Sequence, residues 1–338
     1  MTIRTGFIAL LLIASPLLAD DPAATIREGT ALYDAGDYNG AIAKFRSVLA
    51  TDPSNAVATY ELGLTYFANG DYTQCKSTME PPSAGRGPLQ AAMLTVLANC
   101  FDMTDEPDRA LDTYRKGLRI SPDNDQLLYN FGVALMSRGR GDEARATLKK
   151  DVAFYPQHAS AHYALATVFQ QQNFRTPALL EYLRFLALEP YSARAKDAAT
   201  RVSAILGQGV EDKDGGNINI TVDAKPRKGE GDYSAAEMML AIVAAGRTLP
   251  DKKDLTEFDL RREEIGTVLA IITEMGAKGR DHTAKLNVPF FIELSKRKLI
   301  DTFAGLAFTS LQLPGTREWT EKNQAAIETY TSFIKGLK

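Results

Sequence analysis

Cysteine, histidine and tryptophan are all scarce in this chain. Two cysteines, Cys75 and Cys100, in 338 residues are too few for a disulfide scaffold. A formal net charge of −3 provides no general field to draw in nucleic acid. Beyond the first 19 residues no apolar run approaches the roughly 20 residues of a membrane span. No Gly-x-Ser-x-Gly turn, phosphate-cradling Gly-x-x-x-x-Gly-Lys loop or His-Glu-x-x-His helix occurs, so no known catalytic motif marks an enzyme. No catalytic residue, metal or cofactor is expected. What remains, 45% hydrophobic and 24% charged, is ordinary for a globular protein of one to three domains.

The N-terminus reads as a secretory signal, residues 1–19. Arg4 supplies the positive start, Phe7 to Ala14 the apolar core, and Ser15-Pro16 the helix break before Ala19. The core is too short to span a bilayer. Cleavage after Ala19 is expected, giving a periplasmic or secreted protein with no integral span after processing.

From residue 22 a period of 34 emerges. Pro122, Pro156 and Pro190 keep it, as do Ala110, Ala144 and Ala178, and Tyr114, Leu148 and Tyr182. Gly36-Asp37-Tyr38 returns as Gly70-Asp71-Tyr72. Small, aromatic and proline positions in register at this period resemble the tetratricopeptide repeat (TPR) family. Five units follow, 22–55, 56–89, 91–124, 125–158 and 159–192. Pro53 to Pro122 spans 69 residues, one more than two periods, so Gln90 reads as an insertion.

The resemblance implies an all-α fold. It predicts a superhelical array of five helix–turn–helix units over 20–206, closed by a capping helix in 193–206. Gly29, Gly63, Ala98, Gly132 and Ala166 would meet Ala41, Cys75, Ala110, Ala144 and Ala178 where paired helices approach closely. The second unit departs from the pattern, because Pro81-Pro82 cannot continue a helix interior. Its second helix should end near Met79, with a loop over 80–88. Cys75 and Cys100 flank that loop, either as a disulfide or as two buried thiols.

In TPR proteins the first helices line a concave groove. By register the lining here is Ile26, Tyr33, Tyr60, Leu64, Phe67, Thr95, Asn99, Asp102, Tyr129, Val133, Met136, Tyr163 and Gln170. Tyrosines offer rigid contact area with a polar tip, suited to a protein or peptide partner in the cell envelope. Asn99 and Asn130 resemble the asparagines with which such grooves hold a peptide main chain. Thr95, Ser160 and Ala164 stand where a carboxylate clamp needs basic residues, which disfavours a chaperone-tail ligand. Tyr66, Phe101 and Phe169 are expected to pack between helices instead.

Residues 207–231 read as a linker, with Asn217 to Val222 as a short extended piece. Asp212, Asp214 and Asp223 have the outer spacing of a calcium loop, but Asn217 occupies the required glycine. Residues 232–338 predict a helical bundle, with helices in 234–247, 256–277, 289–296, 299–311 and 318–335. Phe290, Phe291, Phe303, Phe308 and Trp319 would form its core. His158 and His162 have metal-ligand spacing, yet no third ligand is near, so they read as solvent-facing or capping. The leading expectation is an exported adaptor. A regulatory subunit acting through the bundle, or a catalytic bundle, are the alternatives.

Overall fold

The structure, a computed structural model, describes residues 21–80, 87–213, 217–221, 230–249, 252–275 and 281–337. The signal segment 1–19, the Pro81-Pro82 pair, and Asp214 and Asp223 lie outside the described residues. Apart from one hairpin, the elements are helices. The chain divides into two compact units, one ending at Ala110 and the other starting at Leu111.

The first unit holds α1 (Pro22–Asp34), α2 (Tyr38–Thr51), α3 (Ala56–Ala68), α4 (Tyr72–Met79), α5 (Pro88–Met103) and the start of α6 (Pro107–Ile120). Asp21, Asp37, Asn55 and Asp71 cap the first four, each side chain accepting a first-turn backbone N–H. Gly36 and Gly70 turn the chain at φ 79 and 78°, backbone that favours glycine. A Cβ on Gly29 would lie 2.6 Å from the Phe45 ring, so only glycine lets α1 and α2 approach this closely. As the double proline implied, α4 stops at Met79. Gln90 does not loop out. It lies inside α5, which starts at Pro88 and runs 16 residues against 13 in α1 and α3. The extra residue is absorbed by a longer helix with proline in its first turn.

The second unit continues with α7 (Asp125–Ser137), α8 (Gly141–Phe154), α9 (Ala159–Gln171), α10 (Arg175–Leu188) and α11 (Ala195–Gly207). Ala144, Ala166 and Ala178 are fully buried where paired helices meet. α11 is the capping helix, and the side it buries carries Ala195, Ala198, Ala199 and Val202. Next comes an antiparallel hairpin, β1 (Val210–Lys213) with β2 (Asn217–Ile220), Val210 opposite Ile220. The extended piece expected at 217–222 is therefore one strand of a pair.

The C-terminal helices are α12 (Ser234–Ala245), α13 (Glu257–Met275), α14 (His282–Lys296), α15 (Ile300–Leu306), α16 (Thr316–Lys322) and α17 (Gln324–Lys335). Three boundaries differ from expectation, one being α15, which ends at Leu306 instead of 311. α14 starts seven residues before Pro289, because Asp281 caps it through the Ala284 N–H at 3.1 Å; Pro289 lies exposed within the helix. The final segment is two helices, broken at Asn323, whose side chain donates back to the Trp319 carbonyl at 2.7 Å. Phe290, Phe291, Phe303, Phe308 and Trp319 are buried. They join Phe258 and Tyr330, with Phe303 stacked on Tyr330 at 6.1 Å.

These helices pack on the repeats through α10, which touches α12, α14 and α15. Every residue of α10 from Thr176 to Ala187 is buried. A helix without a polar stripe must be covered on all sides, and the C-terminal helices cover this one.

Candidate partner-binding surface

The ten principal candidates are Ile26, Tyr33, Tyr60, Leu64, Phe67, Asn99, Tyr129, Asn130, Met136 and Tyr163. All ten are half-buried. Tyr66, Phe101 and Phe169, read as packing residues, are buried. Thr95 is also buried, its hydroxyl donating to the Ala91 carbonyl at 2.9 Å, so it offers nothing to a ligand. Asp102, Val133 and Gln170 are half-buried.

In the first unit Tyr33 leans on Tyr38, and Phe67 on Tyr72, each pair 5.6 Å apart. The Gly-Asp-Tyr turn thus supplies a second ring that props the first. Burial raises the Tyr33 and Tyr60 hydroxyl pKa values, and nearby Glu61 adds to both shifts. Glu61 is itself raised, first by burial and then by Asp34. Tyr33, Asp34, Tyr60 and Glu61 therefore sense one another electrostatically across α1 and α3. Among the described residues, no basic side chain forms an ion pair with Asp34 or Glu61. The register picked out the tyrosines but not these carboxylates, each of which directly follows one of them.

The second unit holds its candidates more firmly. Tyr129 packs against the His158 ring at 5.1 Å. Tyr163 meets Phe185 at 5.2 Å and Tyr182 at 5.7 Å, edge to face. Its hydroxyl donates to Asp197 of α11, which also takes Arg201 Nε at 2.6 Å. Burial, then this bond, pushes the Tyr163 pKa up to about 12. Tyr163 is thereby tied to the capping helix. Asp197 lies 34 residues beyond Tyr163, one repeat later, a relation visible in the sequence only in retrospect.

The histidines correct the sequence reading. His162 is fully buried, not solvent-facing. Its ring lies between Glu181 Oε2 (2.5 Å from Nδ1) and the Pro156 carbonyl (3.1 Å from Nε2). His158 stands at the start of α9 with Nδ1 2.8 Å from buried Asp151. Each pairs with its own carboxylate, and among the described residues no three His, Cys, Asp or Glu groups assemble for a metal. Glu181 is shared further, its Oε1 accepting from Asn287 Nδ2 at 2.7 Å. Arg184 lies over the Phe290 ring at 3.6 Å and donates to the Pro156 carbonyl at 3.1 Å. These groups fasten α14 to α9 and α10.

Cys75 of α4 and Cys100 of α5 form a disulfide with a Cα separation of 6.3 Å. It pins the shortened helix of the second repeat to the first helix of the third. No described helix is long and apolar enough to cross a membrane.

Residues 104–168 match the tetratricopeptide repeat family, and residues 29–70 match a TPR repeat family. Together with the helix pairs, these support tetratricopeptide repeats in the N-terminal part of the chain. A curated relative, BBSome complex member bbs-4 of Caenorhabditis elegans, is 28% identical over 205 residues. The match takes in 61% of this chain but only 44% of that protein, so the chain spans less than half the relative's length. Among solved structures, YrrB, described as a TPR protein with an unusual peptide-binding site, aligns with 54% of this chain and 92% of its own. Its TM-score is 0.43 and its identity 20%. TTC0263, a thermophilic TPR protein of Thermus thermophilus, aligns with 55% of this chain and 99% of its own, at a TM-score of 0.44 and 22% identity.

Proposed function

We propose that this TPR array is an exported adaptor that holds a segment of a protein partner against the first helices of its repeats. The observation that carries this reading is the half-buried state of all ten register-derived positions, beside buried residues a few places away. Side chains needed only for packing would be covered. Tyr33, Phe67, Tyr129 and Tyr163 are propped by neighbouring rings yet keep a face for a ligand, which lowers the entropy cost of binding. The carboxylates Asp34 and Glu61 beside Tyr33 and Tyr60 favour a segment that presents a lysine or arginine to the first unit. Export rests on the sequence of residues 1–19.

The test uses the full chain in its native host, because removal of the C-terminal helices would uncover α10. A photo-crosslinking residue is placed at Tyr60 or, separately, at Tyr129. The same partner should be recovered from both positions, and Tyr60→Ala with Tyr129→Ala should abolish recovery while the circular dichroism spectrum is unchanged. If neither position yields an adduct, or the double variant still recovers the partner, the adaptor reading fails. Mass spectrometry of the exported protein should find an N-terminus at Asp20.

A further inference from the structure

A cleft of about 670 Å³ lies in the second unit between the end of α10 and the turn leading into α16. Its size is that of small-molecule sites, and it contains none of the groove positions. At its side Tyr191 stands 64% exposed, directly after α10. Around it gather Thr309, Ser310, Gln312, Thr316 and Thr320, together with the apolar Pro190 and Leu313, a lining of hydrocarbon, hydroxyls and one amide. Thr316 is only 9% exposed, and its hydroxyl and that of Ser310 are buried with no hydrogen-bond partner among the described residues. Polar atoms in this condition are costly unless something satisfies them. Thr309 and Thr320 donate to the Leu306 and Thr316 carbonyls at 2.9 and 2.8 Å, leaving their oxygens able to accept.

Gln312 supplies the amide of this lining. It adopts φ 52° and ψ 40°, the left-handed region that few residues other than glycine and asparagine visit. The same geometry follows α5, α9 and α14 at Asp105, Asn173 and Lys298, so it ends the helical turn here and leaves the Gln312 side chain exposed at the cleft. The charges nearby cancel: Arg317 Nε donates to Glu321 at 2.8 Å. The cleft therefore offers hydroxyls, an amide, the hydrocarbon of Pro190 and Leu313 and an exposed ring, without net charge. This is the chemistry of an uncharged sugar, whose hydroxyls pair with side-chain hydroxyls and amides while its C–H face stacks on an aromatic ring.

We infer that this cleft binds an uncharged oligosaccharide, with Tyr191 as the stacking platform and Gln312 as the hydrogen-bonding anchor. The full chain is titrated by calorimetry with tri-N-acetylchitotriose, cellotetraose and maltotetraose. At least one should bind saturably, with a Kd near about 1 mM or tighter. Tyr191→Ala should weaken that binding by about tenfold or more. Gln312→Gly should weaken it as well, while leaving the melting temperature unchanged or raised, which separates lost recognition from lost folding. Tyr60→Ala, a groove variant, should leave it unchanged, so this test stands or falls apart from the adaptor reading. The inference is overturned if none of the three saccharides binds at about 20 mM, or if either cleft substitution leaves binding intact.

Discussion

Asn287 of α14 donates its amide to Glu181 of α10 at 2.7 Å, across 106 residues of chain, with both side chains fully buried. The same carboxylate meets His162 of α9 through its other oxygen. One buried acid thus joins the last repeat to the C-terminal helices. Each oxygen of this buried group has a hydrogen-bond partner, without which its burial would be costly.

Removing the amide should be costly. Asn287→Ala withdraws a donor from a buried carboxylate, and about 1–3 kcal/mol of stability should be lost. Asn287→Asp sets a second carboxylate against Glu181 and should cost more still. Trp319 is the only tryptophan and lies in the second unit, so urea unfolding followed by its fluorescence reads this region directly. The expected order of midpoints is wild type, then Asn287→Ala, then Asn287→Asp. If Asn287→Asp unfolds later than Asn287→Ala, this account of Glu181 is wrong.

Two histidines of the second unit should titrate with opposite sign. The bond to Asp151 raises the His158 pKa above its unfolded value. Its contribution is therefore complete below about pH 6.5 and is lost as pH rises through the folded-state value. Burial lowers the His282 pKa. Its contribution is complete above about pH 6.5 and is lost as pH falls through the folded-state value. Urea midpoints of His158→Gln and His282→Gln are compared with wild type between about pH 5 and pH 8.5. The deficit of His158→Gln should shrink toward alkaline pH, and that of His282→Gln toward acid. Parallel pH dependence in the two variants would refute the assignment.

The repeats were legible in the sequence because their packing is periodic. Ala144 and Ala178 sit one period apart and are both fully buried, since each performs the same task one unit later. The cap was legible for a similar reason, as Ala195, Ala198, Ala199 and Val202 lie on one side of a helix. The coverage of α10 was not anticipated, although its sequence signals it: between Thr176 and Ala187 only Glu181 and Arg184 are charged, too few for a solvated face. His162 was misread because its partner Glu181 stands on another helix, and a spacing of four along one helix cannot reveal that. The start of α14 is not legible from Pro289, because proline favours a first turn while here the Asp281 cap fixes that end seven residues earlier. Register alone nominates Tyr60 and Tyr129 as candidates, whereas only coordinates show that Asp34 and Glu61 share surroundings with Tyr33 and Tyr60.

Reduction should loosen the first unit locally. The bond between Cys75 and Cys100 closes a loop with a sequence separation of 25, worth about 3 kcal/mol in the chain-entropy picture. α4, with eight residues, is the shortest helix of that unit and depends most on this tether. Hydrogen exchange of peptides covering 72–79 should accelerate in dithiothreitol, while exchange in α1 and α2 changes little. The Cys75→Ala, Cys100→Ala double variant should already exchange fast and ignore the reductant. Equal response of wild type and double variant to reductant would show that the disulfide does not hold α4.

Two glycines of the C-terminal helices should answer alanine in opposite directions. Gly266 lies inside α13 with nothing within 4 Å of an added Cβ. Alanine there gains helix propensity, and stability should rise by about 0.5–1 kcal/mol. Gly305, buried in α15, faces the Trp319 ring so closely that an added Cβ would overlap it. Because the ring is rigid and packs on Phe258 at 5.5 Å, relief requires α15 and α16 to separate. Overpacking of this kind costs about 1–3 kcal/mol, more than the propensity gain returns. Thermal melts should place Gly266→Ala above wild type and Gly305→Ala below it, with the Trp319 emission shifted only in the latter. A Gly305→Ala protein as stable as wild type, with unshifted emission, would mean that the two helices do not meet at this glycine.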